Sequence, residues 1–107
     1  MPLLPFAGGQ LEYLATGSGQ PVTVFAHGLA GSIAETRPLA SAVAGTRVFL
    51  HFRGHGASSA PESSWTYPAL AAELAAVADY AGATRAVGVS LGAAALTTLL
   101  ANQPARF

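Results

Sequence analysis

Residues Gly88-Val89-Ser90-Leu91-Gly92 form a G-x-S-x-G. Its setting gives the pattern meaning. Ala86-Val87-Gly88-Val89 reads as a short buried strand, and Leu91 to Gln103 reads as a helix stopped by Pro104. A turn this tight between strand and helix strains its central residue and admits only small residues two positions to either side. Both are glycine here. Such a turn lifts Oγ of Ser90 into the open. It also aims the N–H of Leu91, at the helix N-terminus, at the space beside that oxygen. The chemistry on offer is a hydroxyl nucleophile with one donor for an oxyanion. A glycine-flanked serine in an ordinary β–α turn has the same five letters, so the pattern alone decides little.

Two more loops bear on the question. His27-Gly28-Leu29 follows the apolar run Val22 to Ala26. A loop at that place can present a second backbone N–H, from Leu29, to the same oxyanion. The His27 side chain reads as shaping this loop through hydrogen bonds, not as a general base. Arg53-Gly54-His55-Gly56, with Ser58, follows the run Arg47 to Phe52. Two glycines permit a sharp turn, and Arg53 can bond loop carbonyls. His55 reads as part of a rigid turn beneath the site, not as a base.

The elements that must hold these loops follow from hydrophobic periodicity. Leu11 to Ala15 is a short strand candidate closed by Thr16-Gly17-Ser18-Gly19, which is turn chemistry. Val22 to Ala26 and Arg47 to Phe52 show little alternation, as strands buried on both faces should. Arg37 to Val43 is a modest helix candidate ended by Gly45. Pro68 opens a longer helix, whose Leu70, Leu74, Val77 and Ala81 share one face and which Gly82 ends. Trp65 and Tyr67, just before it, either line a pocket or anchor that helix. Strands alternating with helices predict parallel βαβ units, with helices on both faces of the sheet.

Composition narrows the function. The chain has 107 residues, which allow one domain at most. Five arginines balance five acidic residues for a net charge of zero, so nothing favours nucleic acid. The absence of cysteine removes disulfide frameworks and thiolate metal sites. Three histidines in two turns, without a carboxylate cluster, predict no metal site. The hydrophobic fraction of 51% is too high for a disordered chain. The most apolar run, Ala93 to Ala101, falls far short of the roughly 20 residues of a membrane span. Met1 to Ala7 lacks the basic start of a signal peptide, so a soluble, cytoplasmic protein is expected. No strand is followed by a dinucleotide or phosphate-binding glycine pattern.

Taken together, the HG turn at His27-Gly28, the RGHG-x-S turn from Arg53 to Ser58 and the elbow from Gly88 to Gly92 resemble the α/β-hydrolase superfamily, in order and in spacing. The resemblance runs from about Leu11 to the end. It implies an α/β fold with a mostly parallel sheet, of which residues 1–107 form a single partial domain. Its later strands and cap would be missing. It implies Ser90 as nucleophile, Leu29 and Leu91 as oxyanion donors, and His27, Gly28, Gly88 and Gly92 as the supporting turns. No cofactor is implied. The substrate would be a small molecule with an ester, thioester or related bond, cleaved through an acyl-serine intermediate. Ser90 argues against the haloalkane dehalogenase and epoxide hydrolase branches, which use Asp there.

Two departures stand out. Many relatives carry Asp two residues before the Arg of RGHG, where this chain has His51. The family's triad runs Ser, then acid, then His, yet no Asp, Glu or His follows Ser90. His27, His51 and His55 precede it, and Glu12, Glu35 and Glu62 have no motif around them to orient a base. The chain alone is therefore expected to be inactive, with its triad completed by a C-terminal half. The alternative is a non-catalytic remnant or split subunit acting as a binding module. The strand at 86–89 would be an open, apolar sheet edge, which invites pairing with that half or with a second copy.

Overall fold

The computed structural model describes residues 1–61 and 65–107; Glu62 lies outside them. In chain order the strands are β1 (Leu3–Phe6), β2 (Gly9–Gly17), β3 (Val22–Ala26), β4 (Thr46–Leu50) and β5 (Arg85–Gly88). The helices are α1 (Ile33–Thr36), α2 (Tyr67–Ala81) and α3 (Leu91–Asn102), with a 3₁₀ turn at Arg37–Ala40 directly after α1. The strands form one sheet in the order β1-β2-β4-β3-β5. β3 pairs in parallel with β4 and with β5, while β2 runs antiparallel to both β1 and β4. All strands but β2 therefore point the same way.

β3 lies in the middle, and all five of its residues are buried. Its alternate side chains feed two cores. Val22, Val24 and Ala26 face α2 and α3, together with Leu11, Val48, Leu50, Leu74, Val77 and Leu99. Phe25 stacks on Phe49 at 5.0 Å on the opposite face, which Ile33 and Ala40 cover. Helices thus pack on both sides of the sheet, as the alternation of elements predicts.

The helix expected over Arg37–Val43 begins four residues earlier and is broken. Pro38 has no N–H to donate, and its ring opposes the carbonyl four residues back, so the chain tightens into the 3₁₀ turn. The buried positions are Ile33, Thr36 and Ala40. β1 is an element that periodicity did not reveal. Its Pro5 pairs with Gln10 of β2 at the rim of the sheet, a place where proline is tolerated because one side of the strand needs no donor. α2 matches its expected face, with Leu70, Leu74 and Val77 buried. The Thr66 hydroxyl accepts the Ala69 N–H at its start, and Gly82 ends it in the left-handed conformation.

β5 occupies the edge beyond β3. The Val89 N–H still donates to the Ala26 carbonyl at 3.0 Å, so pairing runs to the brink of the turn at Ser90. Among the described residues no helix is long and apolar enough to cross a membrane.

Candidate active site

Only Val89 and Ser90 separate β5 from α3. Ser90 carries φ 52° and ψ −108°, a conformation that L-residues rarely adopt. Space explains the flanking glycines. A Cβ on Gly88 would lie 2.6 Å from the Gly92 carbonyl oxygen and 2.7 Å from the Ala93 backbone. A Cβ on Gly92 would run into the Ala26 carbonyl of β3. The turn closes because neither side chain exists, and Ser90 absorbs the strain. Its hydroxyl does not cap α3, and among the described residues it has no hydrogen-bond partner. The residue is exposed, with its side chain open to the surface.

The strain makes a stability prediction. Glycine adopts this backbone at little cost, whereas strain of this kind costs other residues about 1–3 kcal/mol. Ser90→Gly is therefore expected to raise the urea midpoint, by an amount equivalent to about 1 kcal/mol. A midpoint unchanged or lowered would show the turn to be relaxed.

The loop after β3 approaches from the other side. Gly28 is buried, and a Cβ built on it would stand 3.4 Å from Cβ of Ser90 and 3.5 Å from the Val89 carbonyl. Leu29 follows, 74% exposed. The amides beside it are held by side chains: the Gly28 N–H donates to Glu35 Oε1 at 2.9 Å, and the Ala30 N–H to His55 Nε2 at 3.0 Å. Among the described residues the Leu29 N–H has no such partner. Leu29 and Leu91 line one shared cavity of about 570 Å³.

All three histidines play one structural part. His27 is fully buried; its Nδ1 donates to the Gly28 carbonyl at 2.7 Å and its Nε2 accepts the Phe52 N–H at 3.1 Å. His51 donates from Nδ1 to Glu12 Oε1 at 2.8 Å and accepts the Ile33 N–H at Nε2, 3.0 Å. His55 pairs Nδ1 with the Arg53 carbonyl at 2.9 Å, and its Nε2 takes the Ala30 N–H. Each accepted N–H places the ring proton on Nδ1 and leaves no free nitrogen for a base. Burial holds the His27 imidazole below its ordinary pKa. The N–H of Ala57, and next to it His51, hold the Glu12 carboxyl below the usual carboxylate range.

Two carboxylates gained partners that no motif announced. Glu73, buried on α2, accepts the Arg53 N–H at 3.0 Å and its Nε–H at 2.7 Å. A charge on the apolar face of a helix, between Leu70 and Leu74, was the available signal. Glu35 grips the Gly28 amide and fills the space that a side chain on Gly31 would take. Among the described residues no cluster of His, Asp and Glu could hold a metal ion.

A strained, open serine between a parallel strand and a helix, faced by a second loop with a free amide, defines a class of protein. The chain belongs to the α/β hydrolase fold family, whose pattern matches residues 21–107. Among solved structures it resembles an epoxide hydrolase from Vigna radiata, at 26% identity and a TM-score of 0.86, over 99% of this chain and 36% of that one. Epoxide hydrolase A from Mycobacterium thermoresistibile is likewise 26% identical, with a TM-score of 0.85, over 98% of this chain and 35% of that one. An α/β hydrolase from a Medee basin deep-sea metagenome shares the fold at a TM-score of 0.86 and 20% identity, over 98% of this chain and 41% of its own. The chain thus spans little more than a third of the length of these proteins. No curated protein matches it in sequence.

Proposed function

We propose that the chain carries the nucleophile and the oxyanion-binding loops of a serine hydrolase. Oγ of Ser90 attacks the carbonyl carbon of an ester, thioester or related bond and gives up its proton to a base. The tetrahedral oxyanion accepts the N–H groups of Leu29 and Leu91. Its collapse expels the alcohol or thiol, protonated by the same base, and leaves an acyl-Ser90 that water then hydrolyses. The single observation behind this reading is the conformation of Ser90: an exposed, uncapped hydroxyl at φ 52°, which a merely structural turn has no need of.

The base and its acid would come from outside these 107 residues. His27, His51 and His55 are all engaged, and no His, Asp or Glu follows Ser90. The open side of β5 is where we propose that the complementary part pairs. The likeness to epoxide hydrolases supports the scaffold; Ser90 itself supports an acyl intermediate. The competing reading, a binding module without catalysis, draws on the unpartnered Ser90 hydroxyl.

An alkyl fluorophosphonate with intact-mass readout separates the two. The protein from its own cells is expected to take up one phosphonyl group on Ser90, and Ser90→Ala to take up none. If that protein remains unlabelled while a known serine hydrolase in the same sample reacts, the hydrolase reading falls.

A further inference from the structure

Trp65 is the only tryptophan in the chain, and it is 52% exposed. An exposed indole is usually free to turn, but this one is fixed on three sides. Its Nε1–H donates to the Pro61 carbonyl at 2.8 Å. The Arg53 guanidinium lies 5.8 Å from the ring centroid. The ring edge fills the space above Gly54, where a Cβ would stand 2.6 Å from it. Tyr67, at the start of α2, is 54% exposed beside it. Two aromatic side chains left in water serve neither core nor cap. Both rings line the cavity whose other wall is Leu29 and Leu91.

Among the described residues, the ionisable side chains Arg53 and His55 in that wall are already matched. Arg53 is paired with Glu73 in the buried ion pair described above, and both nitrogens of His55 are engaged. Among the described residues the cavity therefore presents largely apolar surface with no unmatched charge to balance a charged ligand, and at about 570 Å³ it has the size usual for a small-molecule site. From the fixed Trp65 ring and the exposed Tyr67 ring, which line this cavity with Leu29 and Leu91, we infer that it receives the uncharged, apolar side of the substrate, an alkyl or aryl group next to the reacting carbonyl. This rests on the placement of the oxyanion at Leu29 and Leu91; the cavity itself is tested without it.

Because no other tryptophan contributes, emission from the chain reads the cavity directly. The probes are 1-butanol, 1-octanol and octanoate, none of which needs Ser90. Titration with 1-octanol is expected to give a saturable blue shift, with a dissociation constant at least tenfold below that of 1-butanol, since each further methylene leaves water. Octanoate, of like length but charged, is expected to bind at least tenfold more weakly than 1-octanol. Tyr67→Ala, at an exposed position that leaves the fold intact, is expected to weaken 1-octanol at least fivefold. Ser90→Ala is expected to bind 1-octanol unchanged. Saturable octanol binding in a protein that no phosphonate labels would keep this inference and remove the serine reading. A response that is linear, equal for both alcohols, or untouched by Tyr67→Ala overturns the inference, whatever happens at Ser90.

Discussion

Gly92→Ala is expected to be strongly destabilising, although it adds only one methyl group to a helix. Position 92 lies in the first turn of α3, where alanine is otherwise about 1 kcal/mol better than glycine. Propensity therefore predicts a gain. Packing predicts the reverse, and its term is larger. The added carbon would overlap the Ala26 carbonyl oxygen and stand 2.6 Å from its carbon and 2.8 Å from the His27 oxygen. Those are backbone atoms at the end of β3, the central strand, and they cannot swing aside like a flexible side chain. α3 would have to lift from the sheet, parting Ala95 and Leu99 from the core they share with Val24 and Ala26. Overpacking of this kind costs about 3 kcal/mol or more, against a typical total of about 5–15 kcal/mol. Gly82→Ala makes a useful contrast. There the backbone is left-handed but the space is open, so the loss should be confined to about 1 kcal/mol of backbone strain. Urea unfolding of the two variants should rank them in that order. Equal midpoints would mean that α3 does not rest on β3 as closely as described.

The same close approach explains what could be read from the letters alone. Gly88 and Gly92 are informative because a turn between two regular elements leaves no room for alternatives, and the flanking runs identify both elements. β3 was legible because a strand buried on both faces must be largely apolar, as Val22 to Ala26 is apart from Thr23. β1 was hidden by Pro2 and Pro5, which signal a strand only if it lies at a rim. α1 was hidden by its length. Four residues carry no full period, and Pro38 turns the segment that follows into a 3₁₀ turn. The site's supports were harder still. Arg53 announced itself within a glycine-rich turn, but its partner Glu73 sits 20 residues on, and only tertiary packing brings them together. Glu35 shows the same limit. It follows Gly28 by seven residues with no recognisable spacing, yet it holds the amide that sets the course of the loop at Leu29.

Stability is expected to fall in acid in two steps, and the first belongs to His27. Its ring is fully buried, with the His55 ring 4.5 Å away and the His51 ring 5.7 Å away, and its Nε2 faces the Phe52 N–H. A proton added at Nε2 would set one N–H against another and place a charge where no water reaches. Burial, followed by the fields of His55 and His51, therefore lowers the folded pKa below the 6.5 of an unfolded histidine; the Gly28 carbonyl and Glu35 only partly oppose this. The unfolded chain then takes up a proton before the folded one does. The contribution is complete above pH 6.5 and is lost as the pH falls below it, until the folded ring itself titrates, at about 1.4 kcal/mol for each unit of depression. Glu12 supplies the second step. Its folded pKa is held below 4.5, chiefly by the Ala57 N–H, so its contribution is complete above that value and declines below it. Both steps act on one region, since His27 secures the turn at Phe52 while the Glu12–His51 pair secures the start of α1. Urea midpoints taken from pH 8 to pH 4 should be flat at first and then fall below pH 6.5. His27→Gln, whose amide can donate to Gly28 and accept from Phe52 without titrating, should be less stable at pH 8 but lose the first step. A variant that keeps the same slope between pH 6.5 and pH 5 would assign the proton uptake to another group.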